Sequence, residues 1–359
     1  MERRTFLTGA AGLAGGAIAA PALAQSPNVR WRMATSWPKS LDTLYGSAAA
    51  LCERVSQLTE GRFQIQPFAG GEIVGPIQVF DATANGTIEC SHTLSSYFIG
   101  KNPAYGFDGG LPFGLNTRQQ QAWMFSGGGL NLLRELFRKS NLVPIPVGNV
   151  GVQMGGWFRR EINAVEDLRG LKFRVGGFGG LVMAKLGVVP QQIAAGDIYA
   201  ALERGTIDAA EWIGPYDDEK FGFVKVAPYY YTPGWWEGSA QITSFVNADA
   251  WDGLPPLFKA AFEAAANEQN VLMMAKYDAG NPPALRRLLG AGAQLRSFPR
   301  PVLDACHKAT QETFDEISGK NEDFRRIYQS WKAFADESNS WFRVSELNLD
   351  AYRFAGQRG

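Results

Sequence analysis

Apolar and polar positions along the chain change period several times, and the changes outline its elements. Val29, Trp31 and Met33 alternate with polar neighbours, which predicts a strand ending at Ser36-Trp37-Pro38. Leu41, Leu44, Tyr45, Ala48, Leu51, Cys52, Val55 and Leu58 then recur at helical spacing, with Gly61 as the stop. Phe63-Gln64-Ile65 predicts a second strand, the glycine-rich stretch 69–75 a turn, Pro76 a helix start, and 88–93 a third strand. Such alternation implies right-handed crossovers and a mainly parallel sheet. The pattern restarts with a strand over 171–175, a helix over 179–186 and a strand over 188–193. A short helix over 197–204 and a strand over 209–213 follow. Two α/β units predict two lobes across a cleft, with the chain crossing between them near 143–159 and 240–247. From 255 onward helical spacing dominates, over 255–279, 301–319 and 322–337.

Composition narrows the class. The 359 residues are 45% hydrophobic and 12% aromatic, ample for a folded core, and 35 basic residues balance 35 acidic ones. No whole-molecule basic field exists to draw in a phosphate backbone, so nucleic acid is excluded as a partner. No internal apolar run approaches the roughly 18–20 residues that span a bilayer. Residues 1–24 have the form of an export signal. Arg3-Arg4-Thr5-Phe6-Leu7 resembles a twin-arginine motif, a Gly/Ala-rich stretch follows, and Ala22-Leu23-Ala24 supplies a small-x-small cleavage pattern. Its removal leaves 33 basic and 34 acidic side chains, and the expected compartment is the bacterial periplasm. There Cys52, Cys90 and Cys306 could leave one bridged pair; helical spacing favours a buried free thiol for Cys52. Cys90-x-His92 and Cys306-His307 do not match zinc spacings.

Enzyme templates find little to match. Gly176-Gly177-Phe178-Gly179-Gly180 lacks the third glycine of a dinucleotide fingerprint, Val182 standing there. Ser36-Trp37-Pro38-Lys39 fits S-x-x-K, but Pro38 prevents the helix that motif needs. The stretch 151–241 is the most distinctive. Arg174 lies within an otherwise apolar strand, where a cation needs an anion, either a ligand carboxylate or a protein Asp or Glu. Glu211 precedes Trp212, and Glu237 follows two tryptophans; carboxylates in such surroundings need a cation or a proton. Two carboxylates, an amide side chain and a backbone carbonyl would suit a hard cation, with surface or capped carboxylates as the plainer alternative. The run Tyr229-Tyr230-Tyr231 with Trp235-Trp236 fits either an aromatic pocket wall or plain core.

With these residues in view, the chain resembles the periplasmic substrate-binding proteins of tripartite ATP-independent periplasmic (TRAP) transporters, in the dicarboxylate-binding-protein-like family. It is most similar to the subgroup that binds α-keto acids with a metal ion. The resemblance rests on 151–160, 174–177, 188–197, 211–220 and 229–238. It implies an α/β fold, a two-lobed Venus-flytrap with mixed, mainly parallel sheets and a long helical C-terminal region. Residues 25–150 with 247–300 would form one lobe and 151–246 the other, with 301–359 available as a dimerisation arm. It also implies that Arg174 clamps the ligand carboxylate and Gln153 touches both ligand and ion. Glu211, the Trp212 carbonyl and Glu237 would hold the ion, sodium or calcium. Ser95, Ser96 and Tyr97 would meet the ligand from the first lobe, where 98–100 and 109–112 depart from the family pattern. Two glutamates, one arginine and a monocarboxylate leave two negative charges, which sodium halves and calcium cancels. The implied function is capture of pyruvate or a longer 2-oxoacid and delivery to a TRAP membrane permease, without catalysis. A receptor for lactate or another 2-hydroxyacid, or for a longer acid, is the alternative within this class. Outside it stands a metal-dependent lyase or hydratase using Glu211 or Glu237 as base.

Overall fold

The computed structural model describes residues 28–355, so the export signal expected at 1–24 lies outside it. In chain order the first elements are β1 (Val29–Thr35), α1 (Leu44–Leu58), β2 (Phe63–Phe68), α2 (Val79–Ala84) and β3 (Cys90–Thr93). Helices α3 (Gly106–Gly109), α4 (Thr117–Phe125) and α5 (Gly129–Arg138) lead to β4 (Leu142–Asn149). Then come β5 (Gly156–Phe158), β6 (Lys172–Arg174), α6 (Gly177–Lys185), β7 (Val189–Gln191), α7 (Ile198–Glu203), β8 (Ala209–Ala210), α8 (Pro215–Phe221) and β9 (Tyr229–Thr232). The chain closes with β10 (Gln241–Asn247), α9 (Ala248–Asp252), α10 (Pro256–Gly290), β11 (Gln294–Ser297), α11 (Arg300–Lys320), α12 (Glu322–Val344) and α13 (Glu346–Ala355).

The strands form two sheets, ordered β2-β1-β3-β10-β4 and β11-β9-β5-β8-β6-β7. Each is parallel except for one strand that runs against its neighbours, β10 in the first and β5 in the second. This is the mixed, mainly parallel α/β arrangement that the resemblance implied. One boundary differs. Residues 247–300 do not all belong with the first sheet, because β11 pairs with β9 in the second. The covering helix α10 has 35 residues and passes through Pro282 and Pro283 instead of stopping near 279. Prolines inside a helix cost about 3 kcal/mol or more, so tertiary contacts must hold the segment. Asn281 Oδ1 accepts the Tyr216 N–H at 3.0 Å, and Gly280 lets the Tyr216 ring approach so closely that a Cβ would sit 2.8 Å from it.

Local chemistry sets the ends of several elements. After α1 the Gly61 N–H donates to Ser56 O at 2.8 Å, with Gly61 at φ +76°, as a left-handed stop requires. Asn116 and Gln119 cap α4 reciprocally. Phe63, Phe258 and Phe262 bury one face of the first sheet against α10, and Phe80, Phe107, Phe137 and Phe245 fill the other. Phe158, Phe173, Val182 and Phe298 lie under the second sheet. Helix α11 adds Cys306 to this second core, while its Phe314 and the Phe324 and Trp331 of α12 join the core of the first sheet. Beyond them α13 buries no residue. Cys52, Cys90 and Cys306 are all free and buried. Among the described residues no helix is long and apolar enough to cross a membrane.

Candidate functional site

In parallel sheets, side chains that follow the carboxyl ends of strands converge on one edge, where ligands bind. Here the edges of both sheets face the same cavity. Trp37 follows β1, and a single 3-10 turn, Ser95–Phe98, follows β3; these come from the first sheet. Arg174 ends β6 and Glu211 follows β8 in the second. The two crossing segments supply the rest. Gln153 lies between β4 and β5, and Glu237 between β9 and β10. They are held together where Gly234 N–H donates to Gln153 O at 3.0 Å. A Cβ at Gly234 would lie 2.5 Å from that oxygen, so only glycine permits this approach.

The cavity has about 30 Å³ open to the centres of water-sized groups. Its walls are mostly apolar, with Trp37, Leu44, Leu94, Val150, Trp236 and Ile242 among them. Its charged lining consists of Arg174, Glu211 and Glu237. Arg174 is only 2% exposed. Its Nη1 donates to Glu211 O at 2.6 Å and to the Glu211 carboxylate, and its Nε donates to Ile193 O at 3.3 Å. The guanidinium also lies 5.0 Å from the Trp212 ring centre. The internal ion pair that the sequence left open is therefore present, and it sits in the cavity wall.

Burial pushes the Glu211 carboxyl up, against the pull of the Arg174 charge. Burial, then repulsion from Glu211, pushes Glu237 well above the usual carboxylate range. Gln153 Nε2 donates to Glu237 Oε2 at 2.8 Å, while Gln153 Oε1 is buried without a partner. Ser96 Oγ, Trp212 Nε1 and Trp236 Nε1 are likewise buried and unpartnered. Buried polar atoms normally find partners, so this cluster is built to receive something polar. Among the described residues no three His, Cys, Asp or Glu side chains gather. A hard cation here would therefore take Glu211 and Glu237 together with the Gln153 amide oxygen and a backbone carbonyl. That donor set fits sodium or calcium better than zinc.

Of the residues singled out from the sequence, Arg174, Gln153, Glu211, Trp212, Glu237, Ser96 and Tyr97 all line the cavity. Ser95 does not; it lies beside Asp108 and is absent from the cavity lining. Three contributors went unread. Trp37 looked like the end of a strand. Gly176 and Gly177 belonged to a rejected dinucleotide motif, yet here they open α6 onto the cavity, Gly177 at φ +58°. The paired histidine and cysteine positions serve packing: His92 is buried beneath Trp37, and His307 meets the ring of Phe113 edge-on.

Comparison with known proteins identifies the chain's relatives. The profile of the bacterial extracellular solute-binding protein family 7 matches residues 33–321. A monocarboxylate 2-oxoacid-binding periplasmic protein of Nostoc sp. is 48% identical over 331 residues, covering 92% of this chain and 91% of that protein. A TRAP transporter solute-binding protein from Bordetella bronchiseptica superposes with a TM-score of 0.91 at 62% identity, over 92% of this chain and 98% of that one. It is a mixed-occupancy dimer, with copurified calcium and picolinate in one active site and the other apo. A TRAP periplasmic solute-binding protein from Pseudoalteromonas atlantica, with bound sodium and pyruvate, superposes with a TM-score of 0.87 at 34% identity, over 90% of this chain and 98% of that one.

Proposed function

The chain belongs to the bacterial extracellular solute-binding protein family 7, a family of receptors and not of enzymes, and from that premise we propose that it captures a 2-oxo monocarboxylate in the periplasm for a TRAP-type permease. Pyruvate and its longer homologues are the expected ligands. One observation carries the reading: a single buried guanidinium, Arg174, faces a cavity whose other charged groups are both acids. One cation of this planar, two-point geometry matches one carboxylate. The mainly apolar walls beyond it leave no second cation for a dicarboxylate.

The protein's own groups account for capture. The Glu211 carboxylate pairs with Arg174. An arriving carboxylate takes over the free edge of the guanidinium, and the Trp212 ring holds that guanidinium from its face. Ser96 and Tyr97 reach the ligand from the opposite sheet, so a bound acid bridges the two lobes and favours the closed state. A cation held by Glu211, Glu237, Gln153 Oε1 and the Trp212 carbonyl would supply the positive charge that two glutamates and an anionic ligand require. A 2-hydroxyacid such as lactate is the second reading, because the uncommitted Gln153 Oε1 would accept its hydroxyl. The relatives' dimer and the exposed apolar end of the chain support a homodimer.

Titration of tryptophan fluorescence with pyruvate, longer 2-oxoacids and lactate, with and without chelator, tests this reading. Saturable binding of a 2-oxoacid that weakens after chelation supports it; Glu237→Gln should weaken acid and calcium together. Binding unaffected by chelator in sodium-free buffer, or restricted to dicarboxylates, would overturn it.

A further inference from the structure

Trp37 forms part of the cavity wall, and its ring is held by a residue that does not touch the cavity. The side chain is 1% exposed, and its Nε1–H donates to His92 Nδ1 at 2.8 Å. His92 is wholly buried in β3, at the centre of the first sheet between β1 and β10. An indole nitrogen can only donate, so Nδ1 must be the bare nitrogen and the imidazole proton sits on Nε2. Nε2 has no protein partner. Ser244, directly opposite on β10, also has a buried hydroxyl without a protein partner. Burial pushes the imidazole down to about 3, so the ring is a neutral acceptor throughout the physiological range.

Trp37 itself reaches across the cleft. Its ring centre lies 6.3 Å from that of Trp212, edge to face, and 6.2 Å from that of Tyr97. Trp212 belongs to the second sheet's side and carries the Arg174 guanidinium on its face. The order His92, Trp37, Trp212, Arg174 thus runs from the middle of one sheet to the carboxylate-binding group of the other. An indole free to rotate about its side-chain bonds would not present a fixed edge to Trp212.

We propose that His92 is a positioning residue for ligand capture: by accepting the Trp37 indole N–H it fixes the wall on which Trp212 and Arg174 seat when the lobes close. The inference rests on the cavity being the ligand site proposed above. Ligand affinity is then set partly by a side chain that no ligand touches.

The test uses the full chain loaded with calcium and titrated with the same panel of acids. His92→Leu removes the acceptor, and affinity should fall about tenfold, the size expected for one buried hydrogen bond left unmade. His92→Asn places an amide oxygen near the position of Nδ1 and should restore affinity to within about threefold. Trp37→Phe keeps a ring but has no N–H to hold, so adding His92→Leu to it should cost nothing further. A purely structural role for His92 predicts losses that add in the double variant and no rescue by asparagine; either result overturns the proposal. The Trp37 indole proton gives an independent readout by NMR. It should shift in His92→Leu and stay near its wild-type position in His92→Asn. If the wild-type chain binds no acid in the panel, the function proposed above fails. The indole resonance still decides whether His92 holds Trp37, and an unshifted signal in His92→Leu overturns the inference in either case.

Discussion

Arg174 is a buried charge with two possible partners, and its substitution has consequences on both sides. Arg174→Ala removes the carboxylate clamp and leaves Glu211 and Glu237 facing each other in a desolvated wall. Truncating one member of a buried charge pair costs about 2–5 kcal/mol, so affinity for the bound acid should drop by at least about 30-fold in calorimetry. The circular dichroism spectrum should be unchanged, because β6 is held by its neighbours through backbone bonds. A second residue governs stability instead. Burial pushes Asp108 up to about 7, against the hydrogen bond from Thr243. Below about pH 4 folded and unfolded chains both keep this proton. Between there and pH 7 only the folded chain keeps it, so Asp108 makes stability fall as pH rises. Asp108→Asn, which mimics the neutral acid, should flatten the decline in Tm of the ligand-free protein between pH 5 and 8. The charged residues of the site were legible because a cation or carboxylate among apolar neighbours demands a partner. Trp37 and His92 were not, since an aromatic ring at a strand end reads as core until its indole N–H is seen to need an acceptor.

The elements show where periodicity is a sufficient guide. Strand β1, helix α1 and the β6–α6–β7 unit fall where the spacing placed them, and β1 and α1 each bury one face. Helix α10 does not end at Asn281-Pro282-Pro283: contacts from α8 override the local preference for a break, and no sequence period records those contacts. Strand β11 was missed because its residues are mostly exposed, which gives no alternation to read. At the other extreme, Trp341, Val344, Leu347, Leu349, Tyr352 and Phe354 are 57–82% exposed at the end of α12 and on α13. Truncation after Ser345 removes α13, which buries no residue, so the Tm should match that of the full chain. If these side chains form the proposed dimer contact, light scattering should show the truncated chain as a monomer at concentrations where the full chain is dimeric.

Beside the apolar core that joins the two sheets, several polar ties cross between them. Thr43 Oγ1 donates to Asp217 Oδ1 at 3.0 Å, and Lys220 of α8 reaches Asp42 beside β1's loop as well as Asp217. Gln192 Nε2 donates to Tyr97 O at 3.2 Å, and Phe113 N–H to Trp235 O at 2.7 Å. Lys220 and Asp42 are both partly exposed, so that pair is worth no more than about 1 kcal/mol, yet closure equilibria respond to differences of that size. Lys220→Ala should therefore enlarge the ligand-free radius of gyration in X-ray scattering and leave the ligand-bound value unchanged. The two-lobed plan was legible because the α/β pattern occurs twice; the ties were not, since they join residues 174 and 178 positions apart. The three cysteines lead in a different direction. Each is sealed in the core and unbridged, so completing this fold calls for no oxidant and no disulfide isomerase. The same molecule should form in a reducing cytosol as in an oxidising envelope, and it can be finished before it travels.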